Sequence, residues 1–180
     1  MAKITTGDLK QITKDRGVSY RFISNKVELT ATTTLYRPNV EPTIDFLCGF
    51  ARALGLQYRC YIVDEIGNPI LRKNNMTLAD LTPYIEATKL TGAECAKLLG
   101  LADYVTAYYR FVMRSRVSQP MVAAMAALFG GVCYSEMYDM KGRLLAGGKV
   151  DLEPIRKGHP LRLDLLPQML AAKKGKKKKG

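Results

Sequence analysis

The sequence predicts a mainly α fold with a small β component, in which two tandem helical units are each followed by a β-hairpin. Two observations predict it. The stretch VDEIGNPIL, Val63–Leu71, is an apolar run, a turn with Asp and Gly, and an apolar run again, and YDMKGRLLA, Tyr138–Ala146, repeats that plan 75 residues later. Upstream of both hairpins, apolar residues recur at the helical spacing of three and four. A turn that recurs at a fixed offset, with helices before it, implies that a whole unit has been copied. The units are read as residues 1–75 and 76–150, with 151–180 as an extended strap and a lysine-rich flexible tail.

Taken along the chain, Ser19 and Thr91 are cap residues that each open a short helix, and they lie 72 apart. Ile23, Ser24, Val27 and Leu29 match Cys95, Ala96, Leu99 and Leu101 at the same offset. Thr30–Arg37 and Ala102–Arg116 follow as third helices. Pro42 and Thr43 open a fourth, with Ile44, Leu47, Phe50, Ala51 and Leu54 on its apolar face and Gly55 placed to end it in a left-handed conformation. Its counterpart is Ser118–Gly131, with Gly130 standing 75 after Gly55. The change of offset from 72 to 75 places a three-residue insertion between the third and fourth helices. Tyr58, Cys60 and Ile62 alternate with Arg59, Tyr61 and Val63 as in a half-buried strand, with a partner from Pro69 to about Lys73. The second hairpin is expected over Val132–Tyr138 and Arg143–Ala146. A lone hairpin is marginal in water. Each therefore needs a companion, either the other copy's hairpin in one four-stranded sheet or the hairpin of a second chain in a homodimer.

Composition bounds the function. With 47% apolar residues the chain can fill a core. Cys48, Cys60, Cys95 and Cys133 stand far apart within apolar runs beside a single histidine, His159, so packed, reduced thiols are expected and neither a metal nor another cofactor is. The start MAKITTGDLK has no apolar signal core, and the longest nearly apolar run, Met121–Tyr134, falls short of the roughly 20 residues a membrane helix needs. A cytoplasmic protein with no membrane partner is the expectation. No phosphate-cradling Gly loop, nucleophile elbow or cluster of acidic metal ligands is present, so an enzyme is not expected. The net charge of +12 points to a polyanion, and residues 151–180 hold half of it. Lys173, Lys174, Lys176, Lys177, Lys178 and Lys179 form a run whose mutual repulsion favours a mobile tail.

Two short helices joined by a tight turn, with a third following at once, describe a helix-turn-helix. The segments LKQITKDRGVSYRFISNKVEL (Leu9–Leu29), PTIDFLCGFARALGL (Pro42–Leu56) and KLTGAECAKLLGL (Lys89–Leu101) resemble the lambda repressor/Cro-like helix-turn-helix family. The resemblance covers roughly residues 9–56 and, less closely, 81–131. It implies a DNA-binding regulator of prokaryotic or phage type, a repressor above all, held near the nucleoid when bound to double-stranded DNA. It also implies that the third helix of each unit enters the major groove. On that expectation Tyr20, Arg21, Thr30, Thr32, Thr33, Tyr36 and Arg37 serve the first unit. Tyr104, Thr106, Arg110, Arg114 and Arg116 serve the second, with Arg110 and Arg114 on one helical face. Two alternatives stand beside it. The scaffold can serve as a protein-binding module (an antitoxin or anti-defence factor), with only the first unit on DNA and the second on a protein. It can also be a nonspecific packaging protein, for which the charge outside the tail is modest.

Overall fold

The structure, a computed structural model, describes residues 3–26 and 40–176. The first unit contains α1 (Thr6–Asp15), α2 (Tyr20–Lys26), α3 (Ile44–Ala53), β1 (Gln57–Val63) and β2 (Pro69–Arg72). The second runs from a single 3-10 turn at Ala79–Leu81 into α4 (Thr82–Ala87), then α5 (Gly92–Leu98), α6 (Val105–Val112), α7 (Gln119–Ala127), β3 (Val132–Tyr138) and β4 (Leu144–Lys149). A strap of irregular chain leads to α8 (Leu166–Lys176). Helices and one four-stranded antiparallel sheet thus share the chain.

The two halves form their elements for the same local reasons. Thr5 caps α1 and exchanges bonds with Asp8, Thr5 N–H donating to Oδ2 at 2.8 Å and Asp8 N–H to Thr5 Oγ1 at 3.2 Å. Thr77 and Asp80 repeat that box at 2.8 and 3.3 Å. Ser19 and Thr91 cap α2 and α5, and Thr43 and Ser118 precede α3 and α7. α3 and α7 end alike, at Gly55 and Gly130 with φ of +64° and +77°. Where Gly17 ends α1 at φ +62°, its counterpart Lys89 adopts φ +65°, a conformation that a Cβ disfavours. Lys89→Gly is therefore expected to raise stability by about 0.5–1 kcal/mol, read as a higher urea midpoint at unchanged slope.

The sheet has the order β2-β1-β3-β4, so the two hairpins meet at its centre. β1 pairs with its own copy: Cys60 faces Ser135, Gln57 faces Tyr138 and Val63 faces Val132. Each flanking ladder is reproduced 75 residues on, Tyr61–Arg72 as Glu136–Gly147 and Ile62–Leu71 as Met137–Ala146, and a bulge follows Ile62 and Met137 alike. Thr43 bridges Ser118, again its own counterpart. A pseudo-two-fold axis therefore passes between Cys60 and Ser135 and between Thr43 and Ser118. Of the two companions considered for each hairpin, the one present is the other hairpin of the same chain.

One face of the sheet carries the helices and the core. Tyr58, Cys60, Ile62, Cys133, Ser135 and Met137 point into it beside Phe50, Leu47, Val122 and Met125, all buried. Tyr58 Oη and Ser135 Oγ, both buried, share a hydrogen bond of 2.9 Å beside the axis. On the other face Tyr61 and Tyr134 stack at 5.2 Å, and Glu136 accepts hydrogen bonds from Tyr61 (3.1 Å) and Tyr138 (2.6 Å).

Both hairpin turns are closed by an aspartate. Asp64 Oδ1 accepts the N–H groups of Asn68 and Ile66 at 2.8 and 3.0 Å, and Asp139 Oδ1 accepts those of Arg143 and Lys141 at 2.9 Å. The backbone bond from Asn68 holds the Asp64 carboxyl below its usual range, and that from Arg143 does the same for Asp139. A carboxylate whose folded pKa is depressed contributes stability above its unfolded pKa of about 3.9 and loses it as pH falls through the lower folded value. The double variant D64N/D139N should consequently lose less melting temperature than the native chain between about pH 5 and pH 2.5.

Three elements depart from expectation. The third helix of the second unit is shorter than Ala102–Arg116, running from Val105 to Val112 with Met113 as its cap, so Asp103 precedes it and Arg114 lies beyond it. β4 begins at Leu144 and extends to Lys149. The lysine run is not all tail: α8 carries Lys173, Lys174 and Lys176 as helical residues, because Lys is a good helix former and Glu94 neutralises Lys173 at 2.9 Å. The third helix expected at Thr30–Arg37 lies outside the described residues.

Candidate nucleic-acid interface

α5 and α6 form the best-defined helix pair of the second unit. Thr91 and Glu94 cap α5 reciprocally at 2.8 and 3.2 Å. Cys95, Ala96 and Leu98 turn into the core. α6 crosses the first turn of α5 closely: a Cβ on Gly92 would stand 3.2 Å from Val105 Cγ1 and 3.5 Å from Tyr108 Cδ1. Tyr108, Phe111 and Val112 face inward. Tyr104, Val105, Thr106, Tyr109 and Arg110 are left exposed along the other side. The turn between the helices passes through Gly100, φ +68°, where a Cβ would meet the His159 and Pro160 carbonyl oxygens at 2.6 and 2.8 Å.

That close approach brings in the strap. Arg162 N–H donates to the Leu98 carbonyl at 2.8 Å, and Leu161, Leu163, Leu166, Met169 and Leu170 pack against the core. The strap places Arg156 beside α6. A cleft of about 280 Å³ is lined by Arg110, Arg114 and Arg156 together with Leu101, Tyr104 and Phe111. All three arginines are exposed, and none belongs to an ion pair among the described residues. Three guanidiniums offer donors and positive charge and nothing that can take a proton, so the site can grip an anion such as a phosphate backbone. The nearby thiol is not a nucleophile at neutral pH: burial, with the charge of Glu94, pushes Cys95 up to about 11.

The expected contacts do not all meet at one place. Arg110 and Arg114 come together, though through a helix end and the loop after it rather than along one helical face. Thr106 and Tyr104 border them, exposed. Arg116 does not line that cleft; it lies on a neighbouring groove of about 510 Å³ with Glu41, Asp45 and Glu153, a mixed-charge setting that Arg114 borders as well. Lys173 is tied to Glu94, while Lys174 and Lys176 are exposed on α8. In the first unit Arg21 is exposed on the first turn of α2, and Tyr20 is half-buried against the core. Thr30, Thr32, Thr33, Tyr36, Arg37, Lys177, Lys178 and Lys179 lie outside the described residues. Arg156 was not among the expected residues. It stands more than forty positions from Arg114 in irregular chain, where no periodicity links the two.

The chain matches no described protein family, no curated protein and no solved structure. Among the described residues, no helix is long and apolar enough to cross a membrane.

Proposed function

We propose that this chain is a sequence-specific regulator of transcription, most simply a repressor, that holds double-stranded DNA with two helix-turn-helix heads. The observation that carries the reading is the exposed side of α6 with its arginine cleft, presented by a helix pair joined through a glycine turn. The pseudo-two-fold axis adds to it. One chain then offers two related heads to one duplex, as dimers of helix-turn-helix proteins do with half-sites roughly 34 Å apart. Because the heads differ in sequence, the two half-sites differ as well. Arg110, Arg114 and Arg156 grip the backbone, Thr106 and Tyr109 reach towards base edges, and Lys174 and Lys176 add affinity independent of sequence.

A second reading rests on the same helix. Tyr104, Val105, Tyr109 and Met113 are exposed at 52, 44, 58 and 78%, an apolar load that suits a protein partner. The second unit would then be the protein-binding half, in an antitoxin or anti-defence factor, and the first unit alone would meet DNA.

Selection from a random duplex library at near-physiological salt separates the two. The chain should end at Lys176, which leaves α8 whole and removes Lys177–Gly180. Two enriched, unequal half-sites support the two-headed regulator. A single half-site moves the second unit to a protein partner. No enrichment overturns the regulator.

A further inference from the structure

The pseudo-symmetry supplies an internal control: a feature present in one unit and missing at its counterpart is not required by the shared fold. The cleft between α3, β1 and β2 is such a feature. It measures about 420 Å³ and is lined by Arg52, Arg59 and Arg72, with Gln57, Asn74 and Asn75 among its other polar groups and no carboxylate. Seventy-five residues on, the three arginines are replaced by Ala127, Tyr134 and Gly147. Neither the fold nor the pairing of the sheet requires them, since the second unit builds the same ladder without them.

Arg59 stands opposite Glu136 in the ladder, and the Glu136 carboxylate is engaged by Tyr61 and Tyr138. Arg52 and Arg72 are exposed and belong to no ion pair among the described residues. Arg59 is pre-positioned: its guanidinium lies 4.5 Å from the centre of the Tyr138 ring and donates to Gln57 Oε1 at 3.3 Å. The floor is Tyr58, buried, and Leu56 and Ala51 give an apolar wall. The volume falls within the range of about 300–1,000 Å³ typical of small-ligand sites. Planar guanidiniums match the oxygens of phosphate in pairs. A phosphate monoester carries a charge of roughly −1.5 to −2, which three such groups balance better than they would a single carboxylate.

The geometry points to this cleft as the binding site of a small phosphorylated organic molecule. Arg52, Arg59 and Arg72 hold its phosphate, and the amides of Gln57, Asn74 and Asn75 bond its organic part. The site lies on the first unit, on elements separate from the α6 cleft, and does not rest on the reading of the chain as a DNA-binding regulator.

The test is a titration of the full chain with pyrophosphate and with adenosine 5′-monophosphate at constant ionic strength, following the melting temperature, with KCl as the reference. The expected result is a saturable rise with both probes that R110A/R114A retains. In R52A/R72A the apparent affinity should fall at least tenfold. Both side chains are exposed, so that variant should fold. R52K/R72K, which keeps the charge and loses the planar fork, should also weaken binding. A rise that KCl reproduces, or that R52A/R72A leaves intact, overturns the proposal. A loss of duplex DNA affinity in R52A/R72A as large as that in R110A/R114A overturns it too, because the phosphate would then belong to a nucleic-acid backbone.

Discussion

Gln119→Leu will lower the stability of the chain by about 3–5 kcal/mol, because it strands two buried backbone groups at once. Gln119 is fully buried at the start of α7. Its Oε1 accepts the Ile4 N–H and its Nε2 donates to the Ile4 carbonyl, both at 2.8 Å. Ile4 is itself fully buried, so no water can replace the lost partner. Leucine matches glutamine in bulk and leaves the packing in place, which confines the loss to hydrogen bonding. Each unpaired buried group costs about 1–3 kcal/mol. The duplication gives the contrast: the residues equivalent to Gln119 and Ile4 are Ile44 and Met76, an apolar pair that asks for no such bonds. Urea unfolding measures the effect, and for a chain of this size the melting temperature should drop by roughly 10 °C. A drop within about 2 °C would mean that the Ile4 backbone is solvated in solution.

The second large effect concerns binding. R110A/R114A should weaken duplex binding about 10–100-fold near physiological salt and make the slope of log affinity against log salt shallower by about two, one for each phosphate released. Folding stability should hardly change, since both side chains are exposed and lack ion-pair partners among the described residues. An unaltered slope would place the backbone contacts elsewhere. A matching loss for R116A, which lines the groove with Glu41 and Asp45 but not the cleft of Arg110, Arg114 and Arg156, would undo the division of roles among these arginines.

Much of the architecture could be read from spacing. The repeated hairpin announced a sheet built from two copies, because strands and turns are written locally: alternation for the strand, an aspartate and a glycine for the turn. The caps of α2, α3 and α5 were legible for the same reason. What escaped depends on contacts between distant parts of the chain. The bond between Ile4 and Gln119 spans 115 residues, and a buried glutamine at a helix start reads from sequence as an ordinary polar residue. The lysine run looked wholly mobile because its nearest neighbours are all alike in charge; Glu94, which offsets Lys173, comes from α5, far upstream in the chain. Arg110 and Arg114 were expected on one helical face because their spacing fits it. They meet at the same cleft by a different route, Arg110 from the helix and Arg114 from the chain beyond its end at Val112.

The contact of Cys60 with Ser135 has a kinetic and physiological corollary. A sheet completed between two separate chains would form at a rate set by their encounter and would fall apart on dilution. Here both halves leave the ribosome joined, so assembly is as fast at a few copies per cell as at thousands. Completion of the sheet itself then carries no concentration threshold, because it needs no second chain. Each half is also free to mutate without forcing the same change on its twin, and the three arginines of the first unit indeed have no counterpart in the second.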